Sequence, residues 1–262
     1  MLHLSKIKPA FSLLTLLLLA TVSCTSSKTI QYENVPIQRA QIELTEEQLL
    51  DVGILIFDPN LPEEDQEFIF PEIRKAEARY IPYHLKTTLE DTGFWGGVWV
   101  LPEKSEAMDL IVGGRIEVSN GLKVAVRIGV WDITGREWMN KVYETTVSRS
   151  AYSQQRDYSQ DPYQSFYNKI ANDLLNIRNS LSSPELRRIS EIGDLRFAAE
   201  LVPGVYSDYL MQDEKDIFSA RRLPSENDEM MGRIQNVKER EFVLVDTLNE
   251  YYAKLYQDIS VP

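Results

Sequence analysis

Residues 109–147, DLIVGGRIEVSNGLKVAVRIGVWDITGREWMNKVYETTV, predict the centre of the fold. They divide into three apolar segments, residues 110–118, 122–130 and 136–147, separated by two turn signals. Asn120-Gly121 supplies residues that tolerate the positive φ angles of a tight hairpin turn. Gly135 offers the same freedom in the second turn. The stretch therefore predicts an antiparallel meander of three strands.

Alternation in the middle segment predicts which side of the meander is buried. Side chains of a strand point alternately to its two faces. One face would carry Leu122, Val124, Val126, Ile128 and Val130, and the other Lys123, Ala125, Arg127 and Gly129. The first face is apolar throughout, so we expect it to pack on a core while the second stays closer to solvent.

The residues upstream predict a helix and further strands for the same sheet. The apolar run 52–57 ends at Asp58-Pro59 and is typical of a central strand, and residues 98–101 predict another. Between them, residues 72–91 predict one amphipathic helix with an apolar residue every three or four positions, which Pro82 should kink or divide. We therefore predict an α+β domain over residues 43–147, with a helix packed on a mixed sheet.

Residues 148–262 predict a helical C-terminal region. Periodic apolar positions indicate helices over 163–181, 184–201 and 230–259, whereas residues 148–161 are polar and 212–228 are charged and expected to be mobile. In the last helix one line of apolar residues recurs near a 3.5 spacing: Val237, Leu244, Leu248, Tyr251, Leu255 and Ile259. Val245, Tyr252 and Tyr256 widen that line, which favours a core-facing helix over a two-stranded coiled coil.

Residues 1–23 have the layout of a secretory signal peptide. Lys6 and Lys8 precede an apolar run from Phe11 to Val22, which is shorter than the ~20 residues that a spanning helix requires. The run ends in Ala20-Thr21-Val22-Ser23-Cys24, which resembles the lipobox of bacterial lipoproteins, although Thr21 stands where leucine is usual. The resemblance implies lipidation of Cys24. An aspartate directly after the cysteine would be the usual signal for retention in the inner membrane, so Thr25 at that position favours the outer membrane. Ordinary cleavage near Ser23, with Cys24 left as a free thiol, is the alternative.

The composition indicates that the chain after this N-terminus is acidic. The chain has 28 Lys and Arg against 40 Asp and Glu, a net charge of −12. Removing residues 1–23 takes away Lys6 and Lys8 and leaves −14, with residues 24–42 as a lipidated N-terminus and flexible tether. Such acidity argues against nucleic acid as a partner. One cysteine excludes a disulfide within the chain.

Residues 50–147 resemble the small α/β domain of the translocation protein TolB and of the lipoproteins CsgG and LpoB. The resemblance rests on the strand 53–58, the helix 76–89, the strand start Asp109-Leu110-Ile111-Val112-Gly113-Gly114 and the turn Asp132-Ile133-Thr134-Gly135-Arg136. It covers less than half of the chain and implies a periplasmic domain that binds other envelope proteins. It transfers no functional residue.

Few catalytic arrangements are compatible with this sequence. The mature chain would hold one histidine, His84, and one cysteine, so the common His- and Cys-based zinc motifs cannot be built, and we predict no cofactor. No GxSxG, P-loop or GxGxxG motif is present. His84 lies seven residues after Glu77, which offers a metal half-site or a pH-sensing pair, although a half-buried histidine is favoured. The acidic run Glu63, Glu64, Asp65 and Glu67 is interpreted as a solvated loop.

Three groups of residues are candidates for binding. Trp95, Trp99, Trp131 and Trp138 offer a stacking platform for glycan, with core filling as the favoured interpretation. Arg115 and Arg127 on adjacent strands offer a contact for an acidic partner, with pairing to Glu117 favoured. Tyr251, Tyr252 and Tyr256, with Phe242, offer a partner surface on the last helix; packing on the preceding helices explains them equally well.

We therefore expect an outer-membrane lipoprotein on the periplasmic face that binds or scaffolds envelope proteins without catalysis. Lipidated Cys24 would provide the membrane contact, and the last helix offers a route to a homo-oligomer. The alternative is a carboxylate-dependent enzyme acting on peptidoglycan or another glycan. Two acids beside exposed tryptophans in a cleft would favour the enzyme, whereas buried tryptophans would count against it.

Overall fold

Five strands form one mixed sheet in the computed structural model, which describes residues 34–62, 70–120, 123–146 and 163–259. The strands are β1 (Val52–Leu55), β2 (Val98–Leu101), β3 (Leu110–Ser119), β4 (Lys123–Asp132) and β5 (Glu137–Thr146). Their order is β2-β1-β3-β4-β5; β1 pairs in parallel with β2 and β3, and the remaining pairs are antiparallel. The predicted meander and the α+β fold class are confirmed.

The described residues contain five α-helices. They are α1 (Pro71–Glu90), α2 (Gln164–Asn179), α3 (Ser183–Leu201), the single turn α4 (Pro203–Tyr206) and α5 (Glu229–Ile259). Short 3₁₀ turns lie at Glu46–Gln48 and Ser207–Tyr209. None of the helices in the described ranges is both long and apolar enough to cross a membrane.

A hairpin of β6 (Leu210–Gln212) and β7 (Phe218–Ala220) corrects one expectation. Part of it lies in residues 212–228, which the sequence predicted to be mobile. The Phe218 N–H donates to the Thr134 carbonyl at 2.8 Å, and the Arg196 guanidinium lies 4.1 Å from the centre of the Phe218 ring. These contacts join residues far apart in the chain, so local composition did not indicate them.

Helices pack on both faces of the sheet and form two apolar cores. Alternate residues of one strand belong to different cores: Leu110 and Val112 face the first, and Ile111 faces the second. The first core is closed by α1, α2 and the start of α3, and the second by the end of α3 together with α5. Residues 34–262 cluster as one compact unit.

Helix α1 continues through Pro82 as one helix, so of the two predicted outcomes, a kink or a division, the division does not occur. Proline lacks the N–H that would bond the carbonyl of residue 78. That carbonyl instead accepts from the Phe57 N–H, at 2.9 Å, in the segment that follows β1. The segment after β1 therefore supplies the missing donor and attaches the helix to the sheet.

Residues 34–42, which the sequence assigned to the tether, make hydrogen bonds to the folded body. The Asn168 side-chain amide of α2 donates to the Val35 carbonyl at 2.7 Å, and the Asn172 amide donates to the Pro36 carbonyl at 2.9 Å. The Ala40 N–H donates to the Thr92 carbonyl at 2.8 Å. The predicted signal peptide, Cys24 and the acidic run 63–67 lie outside the described residues.

The turn between β4 and β5 is organised by the fully buried carboxylate of Asp132. Its oxygens accept from the Thr134 N–H (3.0 Å), the Thr134 hydroxyl, the Arg136 N–H (3.3 Å) and the Trp138 indole N–H (2.7 Å). Gly135 follows at φ +97°, the left-handed conformation predicted for it. Aspartate accepts from the backbone two residues later in such turns, which explains the Asp-x-Thr-Gly sequence.

Replacing Asp132 with alanine removes the acceptor for these donors and leaves the Trp138 and Thr134 N–H groups without a partner. We expect D132A to lower the free energy of unfolding by about 3 kcal/mol, measured by urea denaturation. D132N is the matched control, because it keeps one acceptor oxygen. It should lower the free energy of unfolding less than D132A does. Unfolding of D132A at the same urea concentration as the native chain would contradict this role.

Candidate functional site

Arg115 and Arg127 lie directly opposite each other on β3 and β4, as predicted, and both are exposed. The Arg127 Nε donates to Glu117 at 2.8 Å, which confirms the expected pairing for this arginine. Arg115 instead pairs with Asp58 at 3.5 Å and donates to the Asn60 side chain at 2.5 Å. Acceptors of the chain itself therefore already engage both guanidinium groups, which weakens this pair as a contact for an acidic partner.

The four tryptophans do not form one platform. Trp95 and Trp99 are buried, which confirms core filling for these two, and Trp138 is half-buried against the first core. Trp131 is 38 % exposed and its ring lies over Gly129, where an added Cβ would come within 2.2 Å of the indole. Burial of the other rings counts against a glycan platform.

Glu77 and His84 make separate contacts along α1. The Ser119 hydroxyl of β3 donates to Glu77 at 2.7 Å, and burial raises the pKa of this carboxyl. The His84 ring lies 4.0 Å from the centre of the Tyr80 ring and stacks at 5.6 Å on Tyr167 of α2. Among the described residues, no group of three His, Cys, Asp or Glu side chains is placed to bind a metal.

The most informative arrangement is the contact between α5 and the edge strand β2. An edge strand exposes N–H and C=O groups that lack a strand partner. The buried Asn249 side chain accepts from the Val100 N–H at 3.1 Å and donates to the Val100 carbonyl at 3.0 Å. Its amide thus pairs with the edge as a neighbouring strand would.

Aromatic and polar contacts extend this attachment along α5. Phe242 stacks on Trp99 of β2, with ring centres 4.4 Å apart, and the Trp99 indole N–H donates to Asp246 at 2.7 Å. Closer to the start of the helix, the Ser105 hydroxyl donates to Glu241 at 2.7 Å, and Ile234 is buried in the second core. One side of α5 therefore packs against the sheet and the second core.

Asn249 has a structural role that a substitution can isolate. We expect N249L to lower the free energy of unfolding by about 2 kcal/mol, because both backbone groups of Val100 lose their partner. Hydrogen exchange at the Val100 amide should also become faster. N236L changes an exposed asparagine of the same helix and is the matched control. Equal stability of the two variants would contradict this role.

A second feature, a buried cluster of charges, lies where α5 and α3 meet the start of the sheet. Asp51 and Asp109 directly precede β1 and β3, and the Asp109 carboxylate accepts from the Asp51 N–H at 3.0 Å. Asp51 accepts from the Gly97 N–H at 2.8 Å. On the helices, Lys238 Nζ donates to Asp194 at 3.1 Å. The sequence did not indicate this cluster, because its members lie far apart in the chain.

Asp109 carries the largest electrostatic strain of the cluster. It is 2 % exposed, and one of its oxygens, Oδ1, has no hydrogen-bond partner among the described residues. Burial raises the pKa of Asp109 to about 7, although the nearby positive charge of Lys238 opposes this. Gly193 of α3 is required here, because a Cβ at that position would come within 2.7 Å of Oδ1.

The raised pKa makes stability depend on pH with a defined sign. The folded chain binds a proton at Asp109 below about pH 7, whereas an unfolded aspartate releases it near pH 4, so stability should fall as pH rises between these values. We expect the free energy of unfolding to decrease from pH 5 to pH 8. The D109N side chain does not titrate, so the free energy of unfolding of this variant should decrease less over the same pH range. Identical pH dependence of both proteins would contradict the assignment.

A third feature is an exposed apolar line on the other side of α5, which we call the seam. It consists of Met230, Val237, Leu244, Leu248 and Tyr251, which are 43–66 % exposed. The sequence predicted a core-facing helix, and Val245 of the predicted line does pack against the second core, together with Ile234 and Phe242. Val237, Leu244, Leu248 and Tyr251 are exposed instead, so the prediction was wrong for these four residues. Tyr251 is 66 % exposed, whereas the Tyr252 and Tyr256 side chains lie outside the described residues.

Exposed basic residues run beside the seam. Arg233, Arg240 and Lys254 each follow a seam residue by three positions, which places them next to it on the helix surface. In the described part of the chain they have neither an ion pair nor a side-chain hydrogen bond. Arg115, Arg127, Lys141 and Arg196, in contrast, all pair with acids. Among the described residues, the basic row therefore has no acidic partner within ion-pair distance, on a protein that is acidic overall.

A surface groove beside α3 offers few free groups. A groove of about 580 Å³ lies between α3 and the β6–β7 hairpin, with Arg196 as its cation. This guanidinium already donates to the Ile133 carbonyl at 2.7 Å and pairs with Glu106 at 2.8 Å. The seam is therefore the stronger candidate for binding.

No family model and no curated protein matches this chain. The resemblance to the TolB, CsgG and LpoB domains stays an expectation from the sequence, and the functional argument rests on the chain's own residues.

Proposed function

We propose that this protein is an outer-membrane lipoprotein that faces the periplasm and binds other envelope proteins without catalysing a reaction. Lipidation of Cys24 would attach it to the membrane, and the folded body would serve assembly or secretion of the envelope. An acyl chain contributes about 0.8 kcal/mol per buried CH₂, so several chains on Cys24 would give stable attachment.

The observation that carries the binding role is the seam. Large apolar side chains grouped on a monomer's surface are typical of interaction sites, and Leu244, Leu248 and Tyr251 form such a group on successive turns of α5. Here the adjoining side of the same helix is attached to β2 through Asn249 and Trp99, so the seam is presented on a fixed element. A fixed element limits the conformational entropy that a partner loses on binding.

The attachment is tested in cells by comparing the tagged chain with its C24A variant. We expect the native chain in the outer-membrane fraction and C24A in the soluble periplasmic fraction, because the variant cannot be lipidated. Equal distribution of both would contradict lipidation at Cys24.

The binding role is tested by crosslinking in the same cells. A defined set of envelope proteins should be recovered with the native chain and be lost in the L244S/L248S variant. V243S is the matched control, because Val243 is 66 % exposed on the same helix but lies off the seam. Recovery of peptidoglycan fragments alone, or turnover of peptidoglycan by the purified chain, would overturn the proposal in favour of a glycan-acting enzyme.

A further inference from the structure

We infer that the seam binds an amphipathic helix of a different protein, with acidic residues beside its apolar line. The inference deepens the proposed function and rests on it for the existence of a partner. Three observations indicate the chemistry of that partner: the spacing of the seam residues, the basic row beside them, and the residues of α5 that already pack against the body.

The spacing favours a helix as the partner. Met230, Val237, Leu244 and Tyr251 are separated by seven residues each, and Leu248 lies four after Leu244. A seven-residue repeat keeps one narrow line facing a second helix when the two wind around each other. From Met230 to Tyr251 the seam is about 30 Å long at 1.5 Å per residue, so it would accommodate about three heptads of a partner.

The basic row selects for acidic flanks on that partner. In paired helices, residues beside the apolar line face those of the other helix and decide which partners are accepted. Arg233, Arg240 and Lys254 occupy one side of the seam. The other side carries Met231, Lys238 and Val245, which pack against the body and are unavailable. The accessible flank thus consists of Arg233, Arg240, Thr247 and Lys254, three positive charges and one hydroxyl, and opposite charge on the partner would complement it.

The same geometry argues against a second copy of this chain. In an antiparallel pair of identical helices, the basic row of one would face the basic row of the other, and like charges repel. In a parallel pair, it would face the side that carries Lys238 and is packed on the partner's own body. Neither orientation places an acidic flank opposite Arg233 and Arg240.

A bilayer fits the seam less well than a helix. Helices that lie on membranes present a broad apolar face, whereas the seam is one narrow line. Exposed Glu239 and Glu250 share the helix, and the whole chain carries a net charge of −12, which opposes approach to anionic headgroups.

The test uses the lipidated full-length protein in detergent and two labelled synthetic helices of three heptads. Both peptides have leucine at the a and d positions; one has glutamate and the other lysine at e and g. By fluorescence anisotropy, we expect the glutamate peptide to bind at least about tenfold more tightly than the lysine peptide. L244S/L248S should weaken binding of the glutamate peptide about tenfold or more. R233E/R240E should bind the lysine peptide more tightly than the glutamate peptide. V243S should bind both peptides as the native chain does.

Several results would overturn the inference. Equal binding of both peptides, or binding of neither, would remove the acidic helix as occupant. If sedimentation showed that the native chain is a dimer and that L244S/L248S is a monomer, the seam would bind a second copy of this chain. Protection of the seam from hydrogen exchange in vesicles with about 30 % phosphatidylglycerol, but not in detergent, would assign it to the bilayer. Seam-dependent crosslinking without peptide preference would leave the proposed function intact and reject only this partner chemistry.

Discussion

The open edge of β2 is the constraint on which the arrangement of the C-terminal half depends. A strand at the edge of a sheet must have its free backbone groups covered or it invites pairing with other chains. Here Asn249 pairs with both backbone groups of Val100, and Phe242 stacks on Trp99. These contacts fix the rotation of α5 about its axis. Once that rotation is fixed, the seam has to face away from the body.

The buried charges follow from the same placement. With Asn249 and Phe242 turned toward β2, Lys238 donates to Asp194, and its positive charge opposes the rise that burial causes in the pKa of Asp51 and of Asp109. Burying charge costs free energy unless it is paired, and Asp109 is only partly compensated. The attachment of α5 therefore combines a satisfied hydrogen-bonding contact at its centre with a less stable, protonation-dependent contact nearer its start.

Much of the sheet could be read from local sequence. The meander follows from strict alternation and from Asp132 and Gly135, residues whose turn conformations are set within a few positions. The cross-strand approach of Arg115 and Arg127 followed from the register of that meander. That Pro82 does not divide α1 could not be predicted locally, because Phe57 supplies the missing donor from another segment. The β6–β7 hairpin was missed for the same reason, since Thr134 and Arg196 stabilise it.

The sequence by itself determined that residues 229–259 form a helix with apolar residues on more than one side. It did not determine which side is buried. Val237, Leu244 and Leu248 are as apolar as Ile234, Phe242 and Val245, and helical periodicity weighs the two lines equally. Tertiary structure decided between them, because Asn249 finds partners on the sheet at Val100 and Lys238 finds one on α3 at Asp194. These hydrogen bonds add to the apolar contacts of Ile234, Phe242 and Val245 and together favour the observed orientation of the helix.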